Sequence, residues 1–290
     1  MAKDLIIGVF SNYGYDEVKP WVKSAKDCGF EGDVVLIAIN ASVETCKKIE
    51  EDGVIVICAD KRGDMMIHME RFIHIYNYLR EHQGEYGWVI STDVRDVIFQ
   101  SNPSKWLKLI PKGVISSGEA IQIKYEEWNK NNIIKNFGEY FYEDIKENVV
   151  QCVGVLAANA TYMQDLAFYI YQMSLNRPDW VADQAAYNVI IHRRPWRDIT
   201  LCTRLSDGWT INGHVTNYEP TKDKFEPYLL ERRPTVLDGK IVNVLNEPFC
   251  IVHQYDRVRE WKKIVEDKYG VKIKSQYTPD DDVIVINTGV

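Results

Sequence analysis

Apolar runs and segments of helical periodicity alternate through the first hundred residues of this chain. Leu5–Phe10, Asp33–Ile39, Val54–Cys58 and Gly87–Ser91 each read as a short buried strand. Between them, Glu17–Cys28, Ser42–Glu51 and Asp64–His82 have the spacing of helices, the last with Met69, Phe72, Ile73, Tyr76 and Leu79 at helical positions. Strands that are apolar throughout, joined by helices, predict a parallel sheet covered on both faces. From residue 101 the pattern is more mixed. Val114–Ser117 is a short strand, and Tyr125–Glu147 is a polar, aromatic-rich stretch of turns and helix placed over a cleft. A strand Val149–Ala158 with Gly154 at its centre precedes helices at Tyr162–Leu175 and Ala182–His192, the second opening after Pro178-Asp179. Residues 200–247 are loop-rich, Phe249–His253 is a strand and Arg257–Lys268 a closing helix.

No repeat or linker interrupts this order. The expectation is one α/β domain over residues 1–290: a doubly wound, mostly parallel sheet with helices on both faces and an irregular second half. Within it, 1–100 look like a nucleotide-binding layout, 101–257 form the irregular half, to which the resemblance described below gives the donor sugar and acceptor, and 258–290 are a terminal helix and strand.

Composition narrows the class. With 46% hydrophobic residues in 290, the chain can bury a substantial core. A formal charge of −7 disfavours nucleic acid as the main partner, because gripping a phosphate backbone needs basic surface. No run approaches the ~20 apolar residues of a membrane span. The first strand begins within a few residues of Met1, too soon for a signal peptide, so a cytoplasmic or otherwise soluble protein is expected. The six cysteines stand singly and read as reduced thiols. The sequons at Asn40 and Asn159 then read as accidents of composition.

Neither a G-x-G-x-x-G turn nor a G-x-x-x-x-G-K-[ST] loop occurs; strand one is followed by Ser11-Asn12-Tyr13-Gly14-Tyr15. A nucleotide bound here would need its phosphates neutralised by a metal or by Arg and Lys. The strand Gly87–Ser91 leads directly into Thr92-Asp93-Val94-Arg95-Asp96, two acids at a carboxyl strand end, where open α/β sheets bind ligands. Paired carboxylates are hard ligands suited to Mg²⁺ or Mn²⁺. The denser triplet Asp280–Asp282 precedes its strand, Val283–Ile286, and is read as a loop.

The segment Asp93-Val-Arg-Asp96-Val-Ile-Phe-Gln-Ser-Asn-Pro103 resembles the D-x-D region of GT-A-fold glycosyltransferases. Four further blocks are similar to that superfamily's, in order: Ser116–Glu119, Gln151–Asn159, Asp183-Gln184-Ala-Ala-Tyr-Asn188 and Ile251–Arg257. The likeness covers about residues 5 to 257 but departs at the acids, which are spaced D-x-x-D with Arg95 inside.

The resemblance implies a metal-dependent enzyme moving a sugar from a nucleotide-diphosphate donor, by expectation a UDP-sugar, to an acceptor hydroxyl of a carbohydrate-type molecule. Mn²⁺ or Mg²⁺ would be held by Asp93, Asp96 and His253, with Asp96 favoured as the direct ligand and Asp93 left to ribose or a metal-bound water. Arg95 would pair with an acid or touch phosphate, and Arg71 would reach the diphosphate. Asn12 and Tyr13 would hold base and ribose, an aromatic face suiting base stacking. Asp183 and Glu119, the latter on a turn after Gly118, are both candidates for the catalytic acid or base, and stereochemistry is open.

Trp128 with Asn129, Asn131 and Asn132 reads as either a sugar platform or a half-buried packing residue. The basic run His192–Arg197 reads first as a solvated helix end, with an anionic acceptor or a lipid surface as the alternatives. Two competing functions share this layout, a sugar-1-phosphate nucleotidyltransferase and a non-catalytic nucleotide-sugar binding protein.

Overall fold

The computed structural model describes residues 2–63, 65–110, 113–178 and 181–274. Asp64, Asp179, the acidic triplet Asp280–Asp282 and the expected strand Val283–Ile286 lie outside the described residues.

The apolar run that opens the chain forms β1 (Lys3–Ser11), buried along nearly its whole length. The chain then alternates α1 (Tyr15–Asp27), β2 (Asp33–Ile39), α2 (Val43–Glu51), β3 (Ile55–Ala59), α3 (Ile67–Glu81) and β4 (Tyr86–Thr92). All four strands run parallel. Each predicted element of this half is present, with ends that differ by at most three residues and β2 matching at both. Ser42 caps α2 by accepting from the Thr45 N–H at 3.1 Å.

Beyond β4 come β5 (Val97–Phe99), α4 (Pro103–Leu107), β6 (Val114–Gln122), α5 (Glu127–Phe137), α6 (Glu139–Ile145), β7 (Val149–Asn159), α7 (Ala160–Ser174) and α8 (Asp183–Ile191). Short strands come next: β8 (Thr200–Thr203), β9 (Thr210–Asn212), the hairpin β10 (Thr235–Leu237) and β11 (Lys240–Val242), and β12 (Ile251–His253). A helix, Arg259–Tyr269, ends the described chain.

The main sheet has seven strands in the order β3-β2-β1-β4-β7-β6-β8. Only β7 runs against the rest. The reason is local. The chain leaves β6 at the carboxyl edge, spends α5 and α6 there, and re-enters the sheet from the same edge, with Ile123 N–H donating to the Asn148 carbonyl at 2.9 Å. One face of the sheet packs on Val18, Trp21 and Val22 of α1 and Ile49 of α2. The other packs on Phe72 and Ile75 of α3, Leu166 and Ile170 of α7, and Tyr187 of α8. A second sheet, β5-β12-β9, has its own core around Trp261 and Tyr255.

Two features fix the layout of the sheet's carboxyl edge. First, the turn 93–96 joins the large sheet to the small one, because β4 ends at Thr92 and β5 starts at Val97. Helix α1 grips both sides of that turn: Trp21 Nε1 donates to Thr92 Oγ1 at 2.8 Å, and Phe99 N–H donates to Ser24 Oγ at 3.1 Å. Second, β4 is too short to pair with the first residues of β7, and α8 takes its place. Asn188 Oδ1 accepts from Gln151 N–H at 2.9 Å while its Nδ2 donates to the Gln151 carbonyl at 2.8 Å. One turn earlier, Gln184 accepts from Val153 N–H at 3.3 Å, and just past the helix His192 Nε2 donates to the Val149 carbonyl at 3.0 Å. The i, i+4 spacing of 184, 188 and 192 matches alternate residues of the strand.

Replacing Asn188 with Ala removes both partners of a buried peptide unit. Unfolding in urea should show a loss of about 2–4 kcal/mol, and a loss under about 1 kcal/mol would mean that other groups pair with Gln151.

Candidate functional site

The turn 93–96 is held by its backbone. Asp93 N–H donates to the Gly154 carbonyl at 2.7 Å, and Gln254 N–H donates to the Asp96 carbonyl at 2.8 Å. Tyr255 Oη donates to the Arg95 carbonyl at 2.9 Å. The antiparallel pairing of β12 with β5 sets His253 against Val97, one residue past Asp96. Both carboxylates thereby meet the imidazole: His253 Nε2 lies 3.3 Å from Asp93 Oδ2 and 3.8 Å from Asp96 Oδ1. One potential ligand atom from each of Asp93, Asp96 and His253 falls within 4.8 Å of the others.

Asp96 and His253 are buried, Asp93 half-buried. Burial alone would raise the Asp96 pKa, but His253 and Arg95 outweigh it and hold the carboxyl below its ordinary value. At His253 burial opposes the charged ring, and Cys152 and the Asp96 carboxylate reverse that, so its pKa lies above that of a free imidazole.

The donor set suits a small divalent cation. Two carboxylates and one imidazole match Mn²⁺ or Mg²⁺ better than a soft metal. The ring's orientation is set by Asn212: His253 Nδ1 donates to Asn212 Oδ1 at 2.8 Å, which turns Nε2 toward the two acids. That contact follows from the parallel register of β9 and β12, which places Asn212 beside His253. The space is kept by Gly154. A Cβ there would stand 2.4 Å from His253 Cε1 and 2.8 Å from Asp93 Oδ2.

Behind the acids lies Arg71 of α3, buried rather than solvated. Its Nη1 bonds Asp93 Oδ1, its Nη2 bonds Asp183 Oδ2 at 3.1 Å, and Nη2 also reaches the Val153 carbonyl at 3.4 Å. Asp183 is the first residue of α8, with Ala182 at the cap position, and its side chain serves Arg71 instead of the helix N–H groups. Asp183 Oδ1 is buried with no hydrogen-bond partner among the described residues.

Glu119 stands differently from expectation. β6 continues past Ser117 to Gln122 through shifted register, so Glu119 lies on a strand and not on a turn. Ala120, at φ +56°, accommodates the irregularity. Gly118 lets β8 approach, since a Cβ there would sit 2.3 Å from the Thr203 carbonyl oxygen. Glu119 accepts from Gln184 Nε2 at 3.5 Å, and burial together with the neighbouring Glu126 raises its pKa to about 7.

The Asp93, Asp96 and His253 cluster and Arg71 border a cavity of about 370 Å³ at the carboxyl ends of β1 and β4, whereas Asp183 and Glu119 are not among its lining residues. Tyr13, Arg71, Asp93, Arg95, Asp96 and His253 all line it. Arg95 pairs with Asp256 at 2.8 Å while still contributing to the wall. Asn12 is exposed, has a φ of +60°, and donates to Ser11 Oγ; it is not among the lining residues. Among the lining residues that carry no assignment from sequence are His68, Gln254 and Arg257. Gln254 and Arg257 flank the histidine in the block Ile251–Arg257, and that adjacency is their only signal in the sequence. His68 has none, because it reads as part of an ordinary helix.

Of the remaining candidates, Trp128 is 43% exposed, while Asn129 and Asn132 are buried and bond Glu126 and the Val181 carbonyl. None of the six cysteines is in a disulfide. No helix among the described residues is long and apolar enough to cross a membrane.

If these side chains hold a cation, Gly154→Ala should displace His253 or Asp93 and lower Mn²⁺ affinity about tenfold or more by calorimetry, as perturbing metal-ligand positions does elsewhere. Glu119 provides a pH test. Its pKa is raised in the folded state, so folding binds a proton between the ordinary carboxyl range and about pH 7, and stability from this group falls as pH rises through that window. Glu119→Gln should therefore gain up to about 3 kcal/mol relative to the unchanged protein between pH 5 and pH 8. Equal pH slopes in the two proteins would refute the assignment.

No protein-family model matches this sequence, and no curated protein matches it.

Proposed function

We propose that this chain is a metal-dependent glycosyltransferase of the GT-A type, taking a nucleotide-diphosphate sugar, a UDP-sugar by preference, and passing the sugar to a hydroxyl of a carbohydrate-type acceptor. One observation carries the reading. Asp93 and Asp96 of one turn meet His253, remote from them in sequence, at the carboxyl edge of a mostly parallel sheet, in one cavity with Tyr13 and three arginines. The resemblance of the surrounding blocks to that superfamily supports it further.

Asp93, Asp96 and His253 would hold Mn²⁺ or Mg²⁺, which when bound neutralises charge gathering on a departing diphosphate. Arg71 fixes Asp93 from behind through its Nη1 bond to the carboxylate. Tyr13, on the loop after β1, offers a ring face for a base. Asp183 Oδ2 is committed to Arg71 and Oδ1 is buried without a partner among the described residues, so Asp183 would act by holding Arg71 and not by direct contact in the cavity. Glu119, with a pKa of about 7, has the balance of acidity and basicity wanted of a group that takes a proton from an acceptor hydroxyl. Its link to Gln184 places it beside the start of α8.

Calorimetry with UDP tests the reading. Binding should require Mn²⁺ and weaken about tenfold or more in Asp96→Ala and in His253→Ala. Equally tight binding without metal, or in both variants, overturns the metal assignment. Tight metal-dependent UDP binding with neither hydrolysis nor transfer of UDP-sugars would identify a binding protein instead. Pyrophosphate release from UTP plus a sugar phosphate would identify a nucleotidyltransferase.

A further inference from the structure

A second cavity, of about 590 Å³, lies where α8 ends and β6, β7 and β8 meet. Its size falls within the roughly 300–1,000 Å³ of small-molecule sites. Helix α8 separates the two cavities: Asp183 opens it beside Arg71, and His192 closes it in the wall of the second. At 1.5 Å rise per residue those ends are about 13 Å apart. The two cavities share no lining residue.

The polar groups left over in its wall define that ligand. Gln151 is fully buried; its Nε2 donates to the Val149 carbonyl at 3.2 Å, while Oε1 has no partner among the described residues. That donor assignment leaves the oxygen as a free buried acceptor, a state that costs stability unless something donates to it. Arg197 and Arg204 both line the cavity and are exposed, and neither guanidinium meets a carboxylate among the described residues. The two acids of the wall are already engaged. Glu147 pairs with Lys124, and Glu231 accepts from the N–H groups of Leu205 and Ser206, both at 2.9 Å. His192 is kept neutral, its pKa pushed down to about 4 by burial, and donates to the Val149 carbonyl.

The groups still unsatisfied are two cationic donors at the mouth and one neutral acceptor within. We infer that this cavity binds a small hydroxyl-bearing anion, a sugar acid or a sugar phosphate, whose acidic group is met by Arg197 and Arg204 and one of whose hydroxyls donates to Gln151 Oε1. Arginine is the residue suited to either acid, through paired N–H groups facing two oxygens.

The test uses the full chain with four probes: glucuronate, glucose 6-phosphate, glucose and inorganic phosphate. Calorimetry should detect at least one sugar anion, with affinity falling as salt rises. The double variant Arg197→Ala/Arg204→Ala should weaken it about tenfold or more, since charge-assisted pairs are lost. Both arginines are exposed, so the variant should melt like the parent. Asp96→Ala should leave this binding unchanged, which separates it from any event in the first cavity. A preference for glucuronate or for glucose 6-phosphate tells a carboxylate site from a phosphate site. The inference is overturned if neither sugar anion binds at millimolar concentration, if the double variant binds as well as the parent, or if glucose binds as tightly as the anions. Inorganic phosphate binding as tightly as glucose 6-phosphate would overturn the role given to Gln151.

Discussion

A guanidinium withdrawn from water must be neutralised where it lies, and in this fold that requirement falls on Arg71. It is buried on α3, between the acid that follows β4 and the acid that opens α8. An uncompensated charge there would cost several kcal/mol, so three separate elements are obliged to keep one arrangement. Asp93 is turned toward His253, and the start of α8 is drawn against β7, because both must face the same cation. The geometry of the carboxylate pair is thus set from behind, by a residue that also borders the cavity in front.

The edge of β7 depends on a related substitution of roles. A strand that outruns its neighbour exposes peptide groups that require partners. Here Gln184, Asn188 and His192 supply them in place of a β-strand, and Arg71 adds a contact to the Val153 carbonyl. The gap left beside β7 by the short β4 is the space in which Gly154 and the Asp93 turn sit. Had β4 run on as a strand, Asp93 would be a ladder residue with no freedom to converge on His253.

Much of this is legible in the sequence, and the limits have physical causes. The alternation in residues 1–100 is a strong signal because buried parallel strands must be apolar on both faces, and each predicted strand and helix there is found. Asp93, Asp96 and His253 can be proposed as a group through resemblance, and the structure brings them together. Glu119 reads as a turn residue because a shifted register and a residue at positive φ leave no periodic trace. Asn212 gives no signal, since its role depends on β9 pairing with β12, a long-range register that three-residue strands do not announce. Arg71 carries the pattern of a surface helix position, and only the two acids that meet it in space show why it is inside.

The turn 93–96 also has a mechanical meaning. It is the seam between the large sheet and the small one, with Asp93 tied to Gly154 on one side and Asp96 tied to Gln254 on the other. His253 belongs to the small sheet, so atoms that would grip a cation reach across the seam from both sides. Whatever sits between them acts as a rivet. A cation held there would fasten the joint, and the stiffness of the fold along that seam would then depend on it.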